Sequence, residues 1–185
     1  MGVPQPGILK KDEVAFVLVD IQEKFVPVVY NIEALIDNAS KLVKGACILK
    51  IPLIVTEQYP KGLGRTVNKI SLDDKQGIIE KISFDCFGCD EFTKKLEELE
   101  VRSLVIFGIE AHVCVLKTAL EAVARNYEAH VVADATSSRT EQNRLLALER
   151  LRQSGIFVVS TEMILFQLMD RAGTDEFKAI SRLIK

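Results

Sequence analysis

A strand, a glycine and a helix follow one another within a few residues in the middle of this chain. Residues 104–107, Leu-Val-Ile-Phe, form an unbroken apolar run, which is typical of a parallel strand buried on both faces. Gly108 ends the run, and an amphipathic segment over residues 116–126 begins just after Cys114. This order predicts a strand, a tight turn and a helix, with Cys114 at or near the helix N-terminus. Unpaired N–H groups and the helix dipole there favour a thiolate, which is the nucleophilic form of cysteine.

The same alternation of apolar runs and helical periodicity extends along the chain. Strands are predicted over residues 14–20, 52–56, 78–82, 103–107, 130–133 and 156–160. Helices are predicted over residues 32–49, 90–99, 114–126, 141–153, 161–169 and 174–183, with Asn31, Asp90 and Thr140 as N-caps and Gly155 as a C-terminal glycine. This alternation predicts the α/β class, with a mainly parallel sheet covered by helices on both faces. Residues 1–12 show no periodicity and are interpreted as an N-terminal arm, and residues 13–185 as a single domain.

Composition and charge narrow the classes of partner. The 185 residues are 48% hydrophobic and 27% charged, which is ordinary for a soluble domain. A net charge of −2 gives no electrostatic case for nucleic acid or an anionic membrane surface, and no apolar run is long enough to span a bilayer. The first residues lack the apolar core of a signal peptide, and four cysteines without such a signal favour reduced thiols. We therefore expect a cytoplasmic protein that binds a small-molecule substrate.

Three reactive side chains follow three of the predicted strands. Asp20 ends the first strand, Lys81 lies near the end of the third, and Cys114 follows the fourth. Ligands bind at the carboxyl ends of parallel strands, so these residues should gather at one edge of the sheet, together with Glu57 and Asp134. A carboxylate near a thiol can take its proton, and a lysine beside both would lower the thiol pKa. Backbone N–H groups in the turn before Cys114 would then receive an oxyanion.

Each of the three residues also has a plainer interpretation. Cys114 alone would be a small buried core residue, which is the usual place of a free cysteine. Asp20 alone would cap the segment that follows it, and Lys81 alone would be a solvated side chain at a strand end. Because all three fall at the edge where ligands bind, the catalytic interpretation is favoured.

Five motifs resemble those of the isochorismatase-like cysteine hydrolases, a family that includes nicotinamidases and N-carbamoylsarcosine amidohydrolases. The motifs are Val-Asp-Ile-Gln-Glu-Lys-Phe at 19–25, Thr-Glu-Gln-Tyr-Pro-Lys-Gly-Leu-Gly at 56–64, Glu-Lys-Ile-Ser-Phe at 80–84, Gly-Ile-Glu-Ala-His-Val-Cys-Val at 108–115 and Asp-Ala-Thr-Ser-Ser-Arg at 134–139. The sequence is most similar to the isochorismatase domain-containing members. The resemblance implies a Rossmann-like, three-layer α/β/α sandwich with a six-stranded, mainly parallel sheet.

The resemblance also implies a catalytic triad of Asp20, Lys81 and Cys114. In the family the aspartate accepts a proton, the lysine positions and polarises, and the cysteine attacks. A cis peptide bond usually lies four residues before the cysteine, here between Ile109 and Glu110, and the N–H groups of Glu110 and Cys114 form the oxyanion hole. The candidate substrate contacts are Phe25, Glu57, Tyr59, Phe84 and His112.

One departure from the nicotinamidases bears on metal and substrate. Those enzymes carry metal-binding histidines after the second strand, where this chain reads Thr-Glu-Gln-Tyr-Pro over residues 56–60. The resemblance therefore predicts no metal and no cofactor, and it disfavours nicotinamide as the substrate. Cys114 favours hydrolysis of an amide or ureide through a thioester. The alternatives are an isochorismatase-type cleavage of a vinyl ether, and a non-catalytic member that keeps the fold for assembly.

Two further patterns give weaker predictions. Cys86 and Cys89 form a Cys-x-x-Cys pair, but a structural zinc needs four ligands and the sequence has no second pair, so these residues are predicted to line the pocket mouth. Cys47 lies on an apolar helix face and is predicted to be inert core. Residues 161–169 carry more apolar side chains than one core face needs, which predicts a homo-oligomer.

Overall fold

The computed structural model describes residues 7–73 and 77–185 and contains a six-stranded sheet in which every neighbouring pair of strands is parallel. The strands are β1 (Val14–Val19), β2 (Leu53–Gln58), β3 (Ile78–Lys81), β4 (Ser103–Ile109), β5 (Glu128–Ser137) and β6 (Phe157–Val159), in the order β3-β2-β1-β4-β5-β6. The helices are α1 (Ile32–Leu49), α2 (Pro60–Leu63), α3 (Asp90–Leu99), α4 (Leu116–Ala124), α5 (Glu141–Gln153), α6 (Thr161–Gln167) and α7 (Asp175–Leu183).

Side chains alternate between the two faces of the central strands, and both faces are buried. On β1, Phe16 and Leu18 belong to the core layer under α1, α6 and α7. Ala15 and Val17 belong to the opposite layer, which also contains residues of α3, α4 and α5. The predicted three-layer α/β/α sandwich is thus confirmed. Burial on both faces explains why the strands are recognisable as apolar runs rather than as alternating patterns.

The strand order reverses between β1 and β4, and this is where an open parallel sheet has a crevice at its carboxyl edge. The two strands touch closely there, because Val19 of β1 is paired with Gly108 of β4. Gly108 has a φ of +130°, and a Cβ at this position would overlap the carbonyl oxygen of Val19. Glycine is therefore required by both the backbone conformation and the close approach of β1.

Several elements differ in length from their predictions. β2 continues to Gln58, β4 to Ile109 and β5 to Ser137, beyond the points where their apolar runs stop. The polar residues at the ends of β2 and β5 remain in the sheet because other buried polar groups bind them. The helix after β4 begins at Leu116 rather than at Cys114, since Ala111–Val115 forms a π-helical turn first.

The predicted helix caps had mixed outcomes. The Thr140 side chain accepts a hydrogen bond from the Asn143 N–H, and Gly155 after α5 has a φ of +77°, as predicted. Asn31 is wrong as a side-chain cap, because its backbone is left-handed and its side chain makes no capping bond. Asp90 is the first residue of α3 rather than its cap, and Cys89 precedes it.

The apolar residues of α6 are mostly covered, contrary to the reason given for an oligomer. Ile164 and Leu165 are fully buried, and the Phe166 ring packs against Phe177 of α7 with ring centroids 6.3 Å apart. Met163 is the apolar side chain of α6 that remains mainly exposed, at 57%. The sequence predicts the helix α7 but not its packing on α6, where it covers part of the apolar face.

Residues 7–12 of the predicted arm lie against the C-terminal helices, whereas residues 1–6 lie outside the described residues. The Gly7 carbonyl accepts a hydrogen bond from Gln167, and Lys11 forms an ion pair with Glu176. Within the described part of the chain, no helix combines the length and apolar character needed to cross a membrane.

Candidate active site

Asp20, Lys81 and Cys114 come together in the crevice between β1 and β4. The ammonium nitrogen of Lys81 lies 2.7 Å from Oδ2 of Asp20, and both side chains are essentially inaccessible to solvent. The Cys114 thiol lies close enough to the same carboxylate for the charge of Asp20 to raise its pKa. Cys114 is 6% exposed, against 3% for Lys81 and 0% for Asp20, so it is the least deeply buried residue of the three. The structure thus brings together the three residues that the strand ends predicted.

Lys81 is a fixed positive charge in this arrangement. Besides Asp20, its Nζ donates to Oε1 of Gln58 at 2.8 Å and to the carbonyls of Ser83 and Phe84 at 3.2 and 3.3 Å. Burial lowers the pKa of Lys81, but the Asp20 carboxylate and the nearby thiols outweigh burial, so the pKa is raised above its ordinary value. Lys81 therefore stays protonated and can position Asp20 without exchanging a proton itself.

Asp20 is held from two further sides. Thr56 Oγ1 donates to Oδ1 of Asp20 at 2.8 Å, and the Asp20 N–H donates to the Thr56 carbonyl at 3.2 Å. The backbone of Asp20 is in the left-handed region, with a φ of +54°, which is uncommon for residues other than glycine. Non-glycine residues in this region concentrate at functional sites, where the surrounding structure fixes them. The carboxylate is therefore presented to Cys114 in one defined orientation.

Burial determines the protonation state of the Cys114 thiol. Burial and the negative charge of Asp20 together raise the pKa of Cys114 to about 12, although Lys81 acts in the opposite direction. The expectation of a lowered pKa is therefore wrong, because the effect of Lys81 is smaller than that of burial. Lys81 is already paired with Asp20, and α4 begins two residues after Cys114. Cys114 rests as a neutral thiol beside a carboxylate that can accept its proton.

The wall beside Cys114 is built from the turn after β4 and the end of β5. The Ile109–Glu110 peptide bond is cis, as the resemblance implied. The Glu110 carboxylate accepts hydrogen bonds from the N–H and Nε of Arg139, at 2.9 and 3.1 Å. Nδ1 of His112 lies 2.9 Å from the Ser138 hydroxyl. These contacts fix the turn that carries the predicted oxyanion-hole N–H groups.

The predicted substrate contacts fall into two groups. Tyr59 and Phe84 are 52% and 54% exposed, and the Lys117 ammonium lies 5.6 Å from the centre of the Phe84 ring. His112 and Phe25 are half-buried, and Phe25 packs partly against the core layer under α1. A cavity of about 280 Å³ opens beside Tyr59 and the backbone of Lys81. Tyr59, Phe84 and His112 therefore remain available to a substrate near the triad.

Glu57 is buried, and its carboxylate is hydrogen-bonded to the loop that follows β2 rather than exposed in an open pocket. Its Oε1 accepts hydrogen bonds from the N–H and hydroxyl of Thr66, at 2.6 and 2.9 Å, and its Oε2 accepts one from Arg65 at 2.9 Å. Asp134, predicted at the ligand edge, lies inside β5, and its Oδ1 accepts hydrogen bonds from the N–H and hydroxyl of Thr161. Both residues anchor neighbouring segments, because their strands continue past the predicted ends.

The other cysteines differ from their predicted places. Cys86 is fully buried beneath the triad, where Thr118 Oγ1 donates to its sulfur at 3.4 Å, so it does not line a pocket mouth. Burial raises the pKa of Cys86 to about 12. Cys47 is exposed rather than core, and Cys89 is half-buried. In the described ranges, no three His, Cys, Asp or Glu side chains are grouped so that they could hold a metal ion.

Sequence reasoning did not identify the polar residues that organise the triad. Thr56 and Gln58 lie two residues apart on β2, so they point to the same face and reach Asp20 and Lys81. Gln22 exchanges two hydrogen bonds with the backbone of Gln58, at 2.8 and 3.0 Å. The sequence signal for these residues was that Thr56 and Gln58 stand two positions apart at the end of a strand, so that both side chains lie on one face.

The protein is thus a parallel α/β/α sandwich that brings a buried cysteine, aspartate and lysine together where the strand order reverses. A family model described as the isochorismatase domain matches residues 14–163, and the chain belongs to this family. The chain is 40% identical to isochorismatase domain-containing protein 1 of Danio rerio over 186 aligned residues. The alignment covers 100% of this chain and 65% of that relative's length, so the chain spans about two thirds of it.

Solved structures of other proteins share this fold. The structure described as MAR1 ribonuclease from Caenorhabditis elegans superimposes with a TM-score of 0.90 at 34% identity, covering 95% of this chain and 91% of that one. The Escherichia coli YcaC gene product, described as an octameric hydrolase of unknown specificity, gives a TM-score of 0.87 over 95% of this chain and 89% of that one. At 22% identity the second comparison shows the fold alone.

Proposed function

We propose that this protein hydrolyses a small amide- or ureide-like substrate through a thioester on Cys114. The observation that carries the proposal is that the Cys114 thiol lies beside the buried carboxylate of Asp20, which the Lys81 ammonium binds at 2.7 Å. A neutral thiol with a raised pKa needs a base at the moment of attack, and Asp20 is the carboxylate beside it.

The proposed reaction has two steps that use Asp20 in opposite directions. In the first, Asp20 takes the proton of Cys114 while the sulfur attacks the carbonyl carbon, and the N–H groups of Glu110 and Cys114 receive the oxyanion. The carbon–nitrogen bond then breaks, and the leaving amine takes the proton from Asp20. In the second, Asp20 deprotonates a water molecule that attacks the thioester, the carbon–sulfur bond breaks to release the acid, and Asp20 returns the proton to the Cys114 sulfur. Loss of one oxyanion donor in such sites costs about 10²–10³ in rate.

Lys81 acts as a positioning residue in this mechanism. Its ammonium pairs with the Asp20 carboxylate, and its bonds to Gln58 and to the carbonyls of Ser83 and Phe84 hold that pair in place. Removing one partner of a buried ion pair lowers the free energy of unfolding of a protein by about 3–5 kcal/mol. Lys81 therefore stabilises the fold and also positions the base.

The substrate in this proposal is small and reaches the triad from the side of Tyr59 and Phe84. These two aromatic side chains are more than half exposed in the isolated chain, although the backbone of each residue is hydrogen-bonded to the buried Lys81. A second copy of the chain would cover such a surface, and we retain a homo-oligomer and a cytoplasmic location as parts of the proposal. The E. coli neighbour is an octamer by its own description, which supports assembly for this fold rather than for this sequence.

The variant Asp20→Asn distinguishes two roles of Asp20, that of a base for Cys114 and that of a residue that orients the thiol. Removing the negative charge lowers the pKa of Cys114, so alkylation of Cys114 by iodoacetamide near neutral pH should accelerate, by about three- to tenfold per unit of pKa. Turnover should fall by about 10²–10⁴ because the base is lost. Asparagine suits the substitution, since it tolerates the left-handed backbone of residue 20.

The alkylation rates are measured by mass spectrometry of each cysteine-containing peptide across a pH series. In the wild-type protein, labelling of Cys114 should rise with pH without a plateau up to about pH 10, as expected for a pKa near 12. Exposed Cys47 provides the internal reference for reagent activity. Slower labelling in Asp20→Asn would show that Asp20 orients the thiol rather than holding its proton, and would contradict the assigned base.

A substrate screen tests the proposal as a whole. Amides and ureides are assayed for ammonia release, isochorismate for pyruvate release, and RNA for cleavage, each with and without a chelator. We expect ammonia release that survives chelation and is absent in Cys114→Ala. Pyruvate release that persists in Cys114→Ala would favour the vinyl-ether alternative, with Asp20 as the acid. RNA cleavage would favour the activity for which the C. elegans relative is named.

A further inference from the structure

A cavity of about 200 Å³ lies on the other side of the β5 end from the triad, between the beginning of α1 and the beginning of α5. Its lining includes Tyr30, Asn38, Thr136, Glu141 and Arg144. The segment at residues 137–138 separates it from the catalytic wall, because the Ser137 hydroxyl donates to the Tyr30 carbonyl at 2.6 Å and the Tyr30 N–H donates to the Ser138 carbonyl at 2.9 Å. The cavity is therefore distinct from the site of Cys114.

Thr136 provides the first indication that this cavity has an occupant. The residue is 1% exposed, and its hydroxyl has no hydrogen-bond partner among the described residues. Buried hydroxyl groups in folded proteins are almost always hydrogen-bonded, to protein, water or ligand. A hydroxyl in the wall of a cavity is satisfied when something in the cavity binds it.

Arg144 provides the second indication, because its guanidinium group is fixed but not neutralised. Its Nε donates to the Thr136 carbonyl at 2.9 Å, and its Nη2 donates to the Ala133 carbonyl. In the described parts of the chain, no carboxylate lies within ion-pair distance of this guanidinium. Two main-chain carbonyls thus hold the group in place, and its Nη1 protons remain for a further acceptor.

The cavity lining also includes two carboxylates, those of Glu141 and Asp134, and Oδ1 of Asp134 accepts hydrogen bonds from the N–H and hydroxyl of Thr161. The Tyr30 hydroxyl donates to Oε1 of Glu141 at 3.0 Å, and Nδ2 of Asn38 donates to the Asp134 carbonyl at 2.9 Å. Glu141 is exposed and lies at the outer rim, where water screens its charge. Beyond these bonded groups, Arg144 supplies one positive charge, and Thr136 supplies a buried hydroxyl that has no partner among the described residues.

We infer that this cavity binds a small carboxylate, with its oxygens on the Arg144 guanidinium and the Thr136 hydroxyl. Arginine binds carboxylates through paired N–H donors, and the hydroxyl supplies a third donor to the same group. Water occupies roughly 30 Å³ per molecule, so the volume fits a carboxylate of about four to seven non-hydrogen atoms. Because Ser138 also contacts His112, the bound carboxylate would lie behind one wall of the candidate active site.

The test titrates the full chain with sodium acetate or sodium malonate, with sodium chloride as the control at equal ionic strength and inorganic phosphate as a second oxyanion. Binding is followed by amide chemical shifts near residue 136 and by the melting temperature. We expect saturable shifts with one of the two carboxylates and a melting temperature that rises with its concentration. Phosphate that saturates the site at least as well as both carboxylates would overturn the assignment to a carboxylate.

Two variants and one matched control make the test specific. Arg144→Gln and Thr136→Val should each weaken carboxylate binding, by about tenfold or more for Arg144→Gln, because the charge is lost. Thr136→Val removes the unpartnered hydroxyl and is expected to fold at least as well as the wild type, so it remains informative if Arg144→Gln does not fold. Arg150→Gln, at an exposed position on the same helix, should leave binding unchanged. Shifts that follow ionic strength alone, or that persist in both variants, would show that only water fills the cavity.

Discussion

Cys114→Ala should fold like the wild-type chain and lose turnover by about 10³- to 10⁶-fold, the range over which removal of a covalent nucleophile abolishes an enzyme's main route. The sulfur is the atom that forms the thioester, and no other thiol contacts Asp20 from the exposed side of the cluster. The stability cost is small, about 1 kcal/mol, because a single buried atom is deleted. Steady-state kinetics and a thermal melt measure the two effects on the same sample.

Cys86→Ala is the matched control for this substitution. Cys86 is a buried thiol in the same core layer, with a pKa raised to about 12 like that of Cys114, but it is fully inaccessible and is bound by Thr118. Its removal should leave turnover within about tenfold of the wild type, as expected for a residue that only packs. If both alanine variants lost activity equally, the loss would come from disturbed packing and not from a missing nucleophile.

Gly108→Ala should lower the free energy of unfolding by about 4 kcal/mol, since strained backbone and overpacking each cost about 1–3 kcal/mol. The φ of +130° is unfavourable for any L-residue with a side chain, and the added Cβ would overlap the Val19 carbonyl oxygen. Because Val19 directly precedes Asp20, relief of this overlap would also displace the base. Urea denaturation measures the loss, and the labelling rate of Cys114 reports the displacement.

Comparison with Gly155→Ala separates the cost of the steric overlap from the cost of the backbone strain. Gly155 has a φ of +77°, and a Cβ there would meet nothing within 4 Å, so this variant bears the backbone strain without the overlap. It should lose only about 1 kcal/mol, as is usual when glycine is replaced in a left-handed conformation at a helix end. Equal losses at the two positions would mean that β1 and β4 can move apart freely, contrary to the close pairing of Val19 and Gly108.

The general architecture could be predicted because both faces of the sheet are buried. Continuous apolar runs such as 104–107 are a direct consequence of that burial, and the helices between them require parallel connections. The placement of Asp20, Lys81 and Cys114 then followed from the rule that ligands bind at the carboxyl ends of such strands. These predictions needed only local pattern and topology.

The organisation around the triad depends on partners that are distant in sequence. β2 extends past its predicted end at Thr56 as far as Gln58, whose side chain accepts a hydrogen bond from Lys81 of β3, while Thr56 donates to Asp20 just after β1. Asp134 likewise lies inside β5, where its carboxylate binds Thr161. A polar residue after an apolar run predicts the start of a loop, since the sequence does not reveal a buried partner.

The pKa of Cys114 was predicted in the wrong direction for a related reason. Lysine lowers a thiol pKa when its charge is free to act on the sulfur, but Lys81 is paired with Asp20 at 2.7 Å. The thiol therefore experiences a nearly neutral pair together with the full effect of burial. The balance of these effects depends on distances and solvent exposure, which spacing along the chain does not give.

Covalent catalysis by Cys114 is tested most directly by trapping its intermediate. The reaction with the amide or ureide found in the screen is stopped with acid during turnover, and the mass of the peptide that contains Cys114 is measured after digestion. A thioester intermediate predicts that this peptide carries the mass of the acyl group only when substrate is present. An unmodified Cys114 peptide, together with undiminished turnover by Cys114→Ala, would contradict the mechanism.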